Sequence, residues 1–201
     1  MRSASAWWDP AFGHKSGDGS VFACLFWGED EKISIHSVAY IRNKPVEGFV
    51  DNQDEATYQS QQVCRLIAQN FLASITIETN GIGKFLPAIL RRELVNSGSK
   101  CAVLEHHSHR NKDMRILEAI EAPLHANKLY LNADILSTPF PGEVREWRPN
   151  QAGCRDDGLD AVSGALSASN FKLKTGFSFS KSKHWQIGSG LYKARTLSDS
   201  H

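Results

Sequence analysis

No stretch of this sequence approaches the roughly 20 consecutive apolar residues needed to span a bilayer, and the N-terminus lacks the charged, apolar and small-residue succession of a signal peptide. These absences predict a soluble, intracellular chain with no membrane partner. Cysteine is scarce and scattered. Cys24, Cys64, Cys101 and Cys154 form no C-x-x-C pair, which argues against both a zinc site and a disulfide framework and leaves them as small core residues in a reducing compartment. No repeat with a period of about 20–50 residues occurs, so a solenoid is not expected. Nor is there an excess of charge of either sign, the net charge being +1 over 201 residues. That balance hides an asymmetry. From Phe171 onward six lysines and arginines face one aspartate, a net of +5, so residues 1–170 carry −4 of the chain's +1. With 41% hydrophobic and 22% charged residues, the length suits one domain with a sizeable core. We expect that domain over 1–170 and a basic tail over 171–201, in which lysines are interspersed with Phe177, Phe179, Trp185 and Tyr192. Such a composition suits nucleic acid or a partner surface, although lack of structure is the default for a chain end.

What is present begins with Ser3 to Trp27. An apolar run climbs through Trp7 and Trp8 into Asp9, is broken by Pro10, Gly13, Gly17 and Gly19, and resumes from Val21 to Trp27, which reads as strand, turn, strand. Lys32 to Ile41 continues an antiparallel meander after the Gly28-Glu29-Asp30 turn, and Arg42 to Gln53 is loop. Asp54 then caps a helix to about Leu72, with Val63, Leu66, Ile67 and Phe71 on one face. Ser74 to Glu78 is a strand, Lys84 to Val95 a helix ended by Gly98, and Cys101 to Glu105 a fifth strand. Strand–helix–strand alternation favours parallel pairing with a right-handed crossover. The fold class expected is therefore α/β: a mixed five-stranded sheet, three strands antiparallel and then two parallel, flanked by helices. Lys112 to Ala122 makes a further helix, Lys128 to Leu131 an extended piece, and Glu143 to Trp147 a short helix. The acidic run Arg155 to Asp160 then leads into a small-residue helix, Ala161 to Ser169.

The chemistry comes from three separated places. An acidic residue at the end of an apolar strand is costly unless it is paired, hydrogen-bonded or bound to a cation. Asp9 ends the first strand and Glu78 the fourth, so if these strands are neighbours both carboxylates emerge at one edge. At about 100° per residue, Asp156, Asp157 and Asp160 span one arc of the last helix with Asp160 in the middle. Carboxylates gathered in this way repel one another, and a divalent cation is the usual resolution. Oxygen ligands favour Mg²⁺ or Mn²⁺ over zinc. Two such ions about 3.5–4 Å apart would clamp the attacking and leaving oxygens of a phosphodiester. Each carboxylate alone has a plainer reading, as turn residue, strand end or helix cap; their conjunction carries the weight. His106, His107 and His109, after the fifth strand, read as an exposed loop cluster rather than a metal site.

These residues carry a family resemblance. The meander opening with Asp9, the continuation through Glu78 and the closing acidic helix resemble the ribonuclease H-like fold, in the branch shared with Holliday-junction resolvases. More narrowly, D-P-A-F-G-x-K-x-G-D-x-S at Asp9 to Ser20, I-E-T-N-G-I-G at Ile77 to Gly83, N-K-D-M-R-I at Asn111 to Ile116 and R-D-D-G-L-D-A-V at Arg155 to Val162 resemble the C-terminal nuclease domain of tailed-phage terminase large subunits. The four run in the family's order over residues 5–170, and the last is the most specific. The resemblance implies a metal-dependent endodeoxyribonuclease that cuts concatemeric viral DNA during genome packaging in the cytoplasm of a bacterial host. Asp9, Glu78, Asp160 and Asp157 would be catalytic metal ligands for Mg²⁺ or Mn²⁺, two ions in all, with Asp156 a further candidate. The implied partners are double-stranded DNA, a packaging ATPase domain, the portal and the small terminase subunit. Lys15, Lys84, Arg110, Lys112 and Arg115 lie where this fold would bring them near the acidic edge, able to hold phosphates.

The sequence departs from the family in two respects. Arg155 stands where the family often has histidine. No G-x-x-x-x-G-K-[ST] occurs, since Gly81-Ile82-Gly83-Lys84 lacks the first glycine and the hydroxyl residue, so an excised nuclease domain or a prophage remnant is expected. The alternatives are a catalytically inactive DNA-binding or scaffold module of the same fold, or a Holliday-junction-type resolvase. An inactive module would be expected to lose an acidic position, and all are present.

Overall fold

Strand β1 (Ser3–Asp9) sends Trp7 and Trp8 to opposite faces of the sheet, and both indoles are fully enclosed, so β1 is a central strand covered on both sides. The structure, a computed structural model, describes residues 3–12, 19–43, 54–151 and 153–169. Lys15 and the basic stretch 171–201 lie outside the described residues. β1 pairs antiparallel with β2 (Val21–Trp27), in a register running from Ser3↔Trp27 to Asp9↔Val21, and β2 pairs antiparallel with β3 (Ile33–Tyr40). Helix α1 (Glu55–Gln69) follows, capped by Asp54, whose carboxylate accepts the Thr57 N–H at 2.8 Å. The chain returns through β4 (Ser74–Glu78), parallel to β1, then a 3-10 turn (Gly81–Phe85), α2 (Leu86–Asn96) and β5 (Ala102–His106), parallel to β4. Helix α3 (Lys112–His125), β6 (Leu129–Leu131), a second 3-10 turn (Ala133–Ser137), α4 (Phe140–Glu146) and α5 (Asp157–Ser167) complete it. The strand order is β5-β4-β1-β2-β3-β6.

Alternation along the strands splits the core in two. Trp8, Phe22, Cys24, Ile75 and Ile77 meet Val63 and Ile67 of α1 and Leu86 and Leu90 of α2. On the other face Trp7, Val21, Ala23 and Leu25 meet Ala161, Val162 and Ala165 of α5, with Ile116 of α3 behind them. The result is a three-layer sandwich with helices on both faces. Small residues let α5 lie close: a Cβ on Gly164 would run into the Trp7 indole, so that glycine sets the approach of α5 to β1.

The mixed sheet expected from the sequence is present, and a sixth strand extends it. β6 is three residues long and pairs parallel with β3 at Ile33↔Leu129 to Ile35↔Leu131. The last helix begins at Asp157 rather than Ala161, so Asp157 and Asp160 occupy its first turn, where carboxylates favour the helix dipole. Helix α4 begins three residues before the expected Glu143, because Pro141 stands in its first turn, where a missing N–H costs nothing. The helix expected from Lys84 is a 3-10 turn up to Phe85 and α-helical only from Leu86.

Candidate metal centre

β1 and β4 are parallel neighbours, with Trp7 opposite Thr76 and Trp8 opposite Ile77, so their terminal residues Asp9 and Glu78 reach the same edge of the sheet. Helix α5 crosses that edge with its first turn and adds Asp160. One carboxylate oxygen from each of Asp9, Glu78 and Asp160 lies within 4.8 Å of the other two. Glu78 and Asp160 are buried and Asp9 is partly so. Burial, together with repulsion from Asp160 and Glu78, holds the Asp9 carboxyl well above its ordinary range, against the opposing pull of Lys112 and Arg115.

Two cations of α3 partly neutralise the cluster. Arg115 Nη1 reaches both oxygens of Glu78 at 3.3 and 3.2 Å, and Arg115 Nη2 pairs with Asp160, so one guanidinium bridges two elements of the triad. Lys112 Nζ stands 2.8 Å from Asp156 and 3.6 Å from Asp160. Burial depresses the Lys112 ammonium, but attraction to Asp160, Asp156 and Asp9 outweighs it and raises the group above the lysine range. Arg110 instead pairs with Glu118 at 2.8 Å on the exposed side of the loop. Lys84 is exposed in the 3-10 turn after Glu78.

Of the three aspartates expected on one helical arc, Asp157 and Asp160 lie in the first turn of α5 while Asp156 is its N-cap with non-helical backbone, and the three face different partners. Asp160 turns into the triad, Asp156 on one side takes Lys112, and Asp157 on the other accepts the Gly19 N–H at 2.9 Å. The structure thus brings together three of the five carboxylates picked from the sequence, with Asp156 and Asp157 flanking them.

Sequence reasoning missed the residues that hold this arrangement. Glu143 of α4 is buried, and its Oε2 accepts the N–H groups of Gly158 and Leu159 at 2.8 and 3.3 Å while Oε1 accepts the Tyr40 hydroxyl at 2.7 Å. It caps α5 from another element, a role that the helix's own Asp156 does not take. Burial raises the Glu143 carboxyl despite these three bonds. No local pattern around Pro139 to Glu143 signals the role. Asn80 donates to Glu78 Oε1 at 2.7 Å and accepts the Ser108 N–H at 3.1 Å, tying the loop after β5 to the triad. Its place two residues after Glu78 was the available signal.

The mixed six-stranded sheet with helices on both faces is that of the ribonuclease H-like fold. Within that class, the chain has the fold of a phage terminase nuclease domain. The nuclease domain of the large terminase subunit gp2 of bacterial virus Sf6 aligns with a TM-score of 0.56 over 81% of this chain and 87% of that one, at 11% identity. A mutant of the same domain, with manganese and β-thujaplicinol, aligns at 0.56 over the same shares and 10% identity. The yeast mitochondrial Holliday junction resolvase Ydc2 aligns at 0.49, with 13% identity over 81% of this chain and 76% of its own. No family model matches the sequence, and no curated protein does. Among the described residues no helix is long and apolar enough to cross a membrane.

Proposed function

We propose that this protein is a divalent-metal-dependent endonuclease acting on DNA, with Asp9, Glu78 and Asp160 as the metal ligands. The convergence of three carboxylates from β1, β4 and α5 within 4.8 Å carries this reading. The donor set fits the ion: all three ligands are oxygen, and burial first, with repulsion from Asp160 and Glu78, raises the Asp9 carboxyl, a cost that a bound cation would relieve. Mg²⁺ or Mn²⁺, bound as one or two ions, would supply Lewis acidity at the scissile phosphate and ease deprotonation of the attacking water.

The chain's own residues do the rest. Asp157 secures Gly19, two residues before β2, against the N-terminus of α5. Glu143 and Asn80 fix the two ends of the triad, and Arg115 and Lys112 keep the carboxylates together by charge. Lys15, Lys84, Arg110, Lys112 and Arg115 are proposed to meet backbone phosphates.

The finer reading is cleavage of concatemeric viral DNA during packaging, with a packaging ATPase domain, the portal and the small subunit as partners. It is supported by the four ordered motifs together with the fold shared with the Sf6 domain. The test is plasmid cleavage by the full chain in Mg²⁺, Mn²⁺, Ca²⁺ and EDTA. We expect nicking or cutting of little sequence preference in Mg²⁺ or Mn²⁺ alone, abolished by Asp9→Asn, Glu78→Gln or Asp160→Asn. Cleavage undiminished in EDTA would remove the metal mechanism.

A further inference from the structure

The loop between β5 and α3 opens a second cavity beside the triad. It has a volume of about 510 Å³, and its walls include His106, His107, His109, Arg110 and, on the inner side, Arg115. The β4–β5 register places His106 opposite Glu78, so the cavity starts one strand away from the acidic edge. The loop is held there from two directions. The His106 carbonyl accepts both the N–H and the hydroxyl of Thr79, at 2.8 and 3.1 Å, and Asn80 bonds Glu78 with one end of its amide and the Ser108 N–H with the other. The distance from triad to cavity is therefore fixed by two residues next to Glu78.

Its chemistry is that of a site for an anion. The cavity is lined by three imidazoles and two guanidiniums against one carboxylate, Glu118; Arg115 is held by Glu78 and Asp160, while Arg110 pairs with Glu118 through one nitrogen and keeps the rest of its exposed side chain open. The side chain of Arg115 is nine-tenths buried, both of its terminal nitrogens are engaged with Glu78 and Asp160, and its Nε has no hydrogen-bond partner. A buried N–H left without an acceptor is costly, but this atom is enclosed, so the donors open to a ligand are those of the exposed His106, His107, His109 and Arg110. The rings of His107 and His109 meet edge to face, 4.5 Å apart. Among the described residues the only group of three or more potential ligand side chains gathered closely enough for a metal is the acidic triad, so the histidines do not converge on a cation.

We infer that the His106–Arg110 loop is a phosphate subsite, which takes a backbone phosphodiester of the DNA strand next to the one cut at the triad. The inference rests on the nuclease reading and deepens it. Acceptor oxygens of the strand meet the donors that the loop leaves exposed, those of its histidines and of Arg110. The loop then acts as a register stop, holding the strand so that a neighbouring phosphate meets Asp9, Glu78 and Asp160. Because phosphates carry no sequence information, the subsite positions the strand and does not read bases.

The test is fluorescence anisotropy of a labelled duplex with the full chain in EDTA, where the proposed reaction cannot run. Binding can then fail or succeed independently of cleavage. Changing both histidines, His107→Ala with His109→Ala, should weaken binding about three- to tenfold, the loss expected for one hydrogen bond to a phosphate, by the same factor on duplexes of unrelated sequence. Arg110→Gln should also flatten the salt dependence by about one unit of slope. Thermal melts check that both variants fold, and the two changes are independent, so either one suffices as a test. Unchanged affinity in either folded variant, or a wild type that binds no duplex at low salt, overturns the proposal. So does a loss confined to one sequence, which would make the loop a base reader. Binding of inorganic phosphate at this loop without any effect of the variants on duplex affinity would make it a small-anion site and overturn the assignment to DNA.

Discussion

At the scale of single residues, the triad is a point where stability and proposed activity oppose each other. The Asp9 carboxyl is raised in the folded chain by burial and by Asp160 and Glu78, while its unfolded value lies near 3.8. As pH rises through the interval between those values, the unfolded state releases its proton first, so folding stability falls with rising pH and stays reduced above the folded pKa. Asp9→Asn removes that loss. In EDTA at pH 7 the variant should melt higher than wild type, about 2–4 °C for each kcal/mol regained at this chain length, and the gap should close as pH falls below the unfolded value near 3.8. Adding Mn²⁺ should raise the wild-type melt and leave the variant's nearly unmoved. An Asp9→Asn variant that melts lower at pH 7 would mean that Asp9 is a structural turn residue. The charged partners of the triad were only half legible in the sequence. Lys112 and Arg115 stood out as cations near the site, but nothing in their spacing told that Arg115 bridges Glu78 and Asp160, because the bridge depends on how α3 packs against α5.

At the scale of elements, the site depends on how closely α5 lies on β1. Trp7 stands two residues before Asp9, and Gly164 stands one helical turn after Asp160, so the contact between them sets the separation of two proposed ligands. The indole is fully enclosed and cannot swing aside. Gly164→Ala should therefore cost about 1–3 kcal/mol, as overpacking does, and should weaken Mn²⁺ binding measured by calorimetry as Asp160 is lifted from Asp9. Gly142→Ala is the control: a Cβ there meets nothing, and the change should be neutral or stabilising. Equal stability in the two variants would show that α5 tolerates displacement. The elements themselves were largely readable. Strand alternation around Trp7 and Trp8, the Asp54 cap and the small residues of α5 are local signals, each with its own physics. β6 was read only as an extended piece, since three residues show no period and its pairing is supplied by β3. The cap on α5 was not readable at all. Glu143 comes from another helix, and a contact between residues 15 apart leaves no pattern in the sequence around either end.

At the scale of the whole molecule, charge decides how DNA is held. Residues 1–170 carry −4, of the chain's +1, and a duplex presents about one negative charge per 1.7 Å, so this body as a whole repels its proposed substrate at long range. Attraction must come from local cations such as the exposed Lys84, or from the six lysines and arginines between 171 and 201. Two of the cations nearest the site, Lys112 and Arg115, are already engaged with carboxylates. In the packaging reading this weakness has a use: partners deliver the DNA, and a nuclease with little affinity of its own spares the genome while it moves past. The full chain should therefore bind a non-specific duplex with a Kd of about 10 µM or weaker at 0.15 M salt, toward the weak end of ordinary non-specific binding, and should lose affinity steeply as salt rises. Deleting 171–201 should weaken binding further and flatten the salt dependence, while circular dichroism and the melting temperature hold, because every described helix and strand ends by Ser167. Anisotropy across a salt series on both chains measures this directly. Tight binding that ignores both salt and the deletion would place the DNA surface elsewhere on the molecule, and would turn the reading of the −4 body from a safeguard into an error.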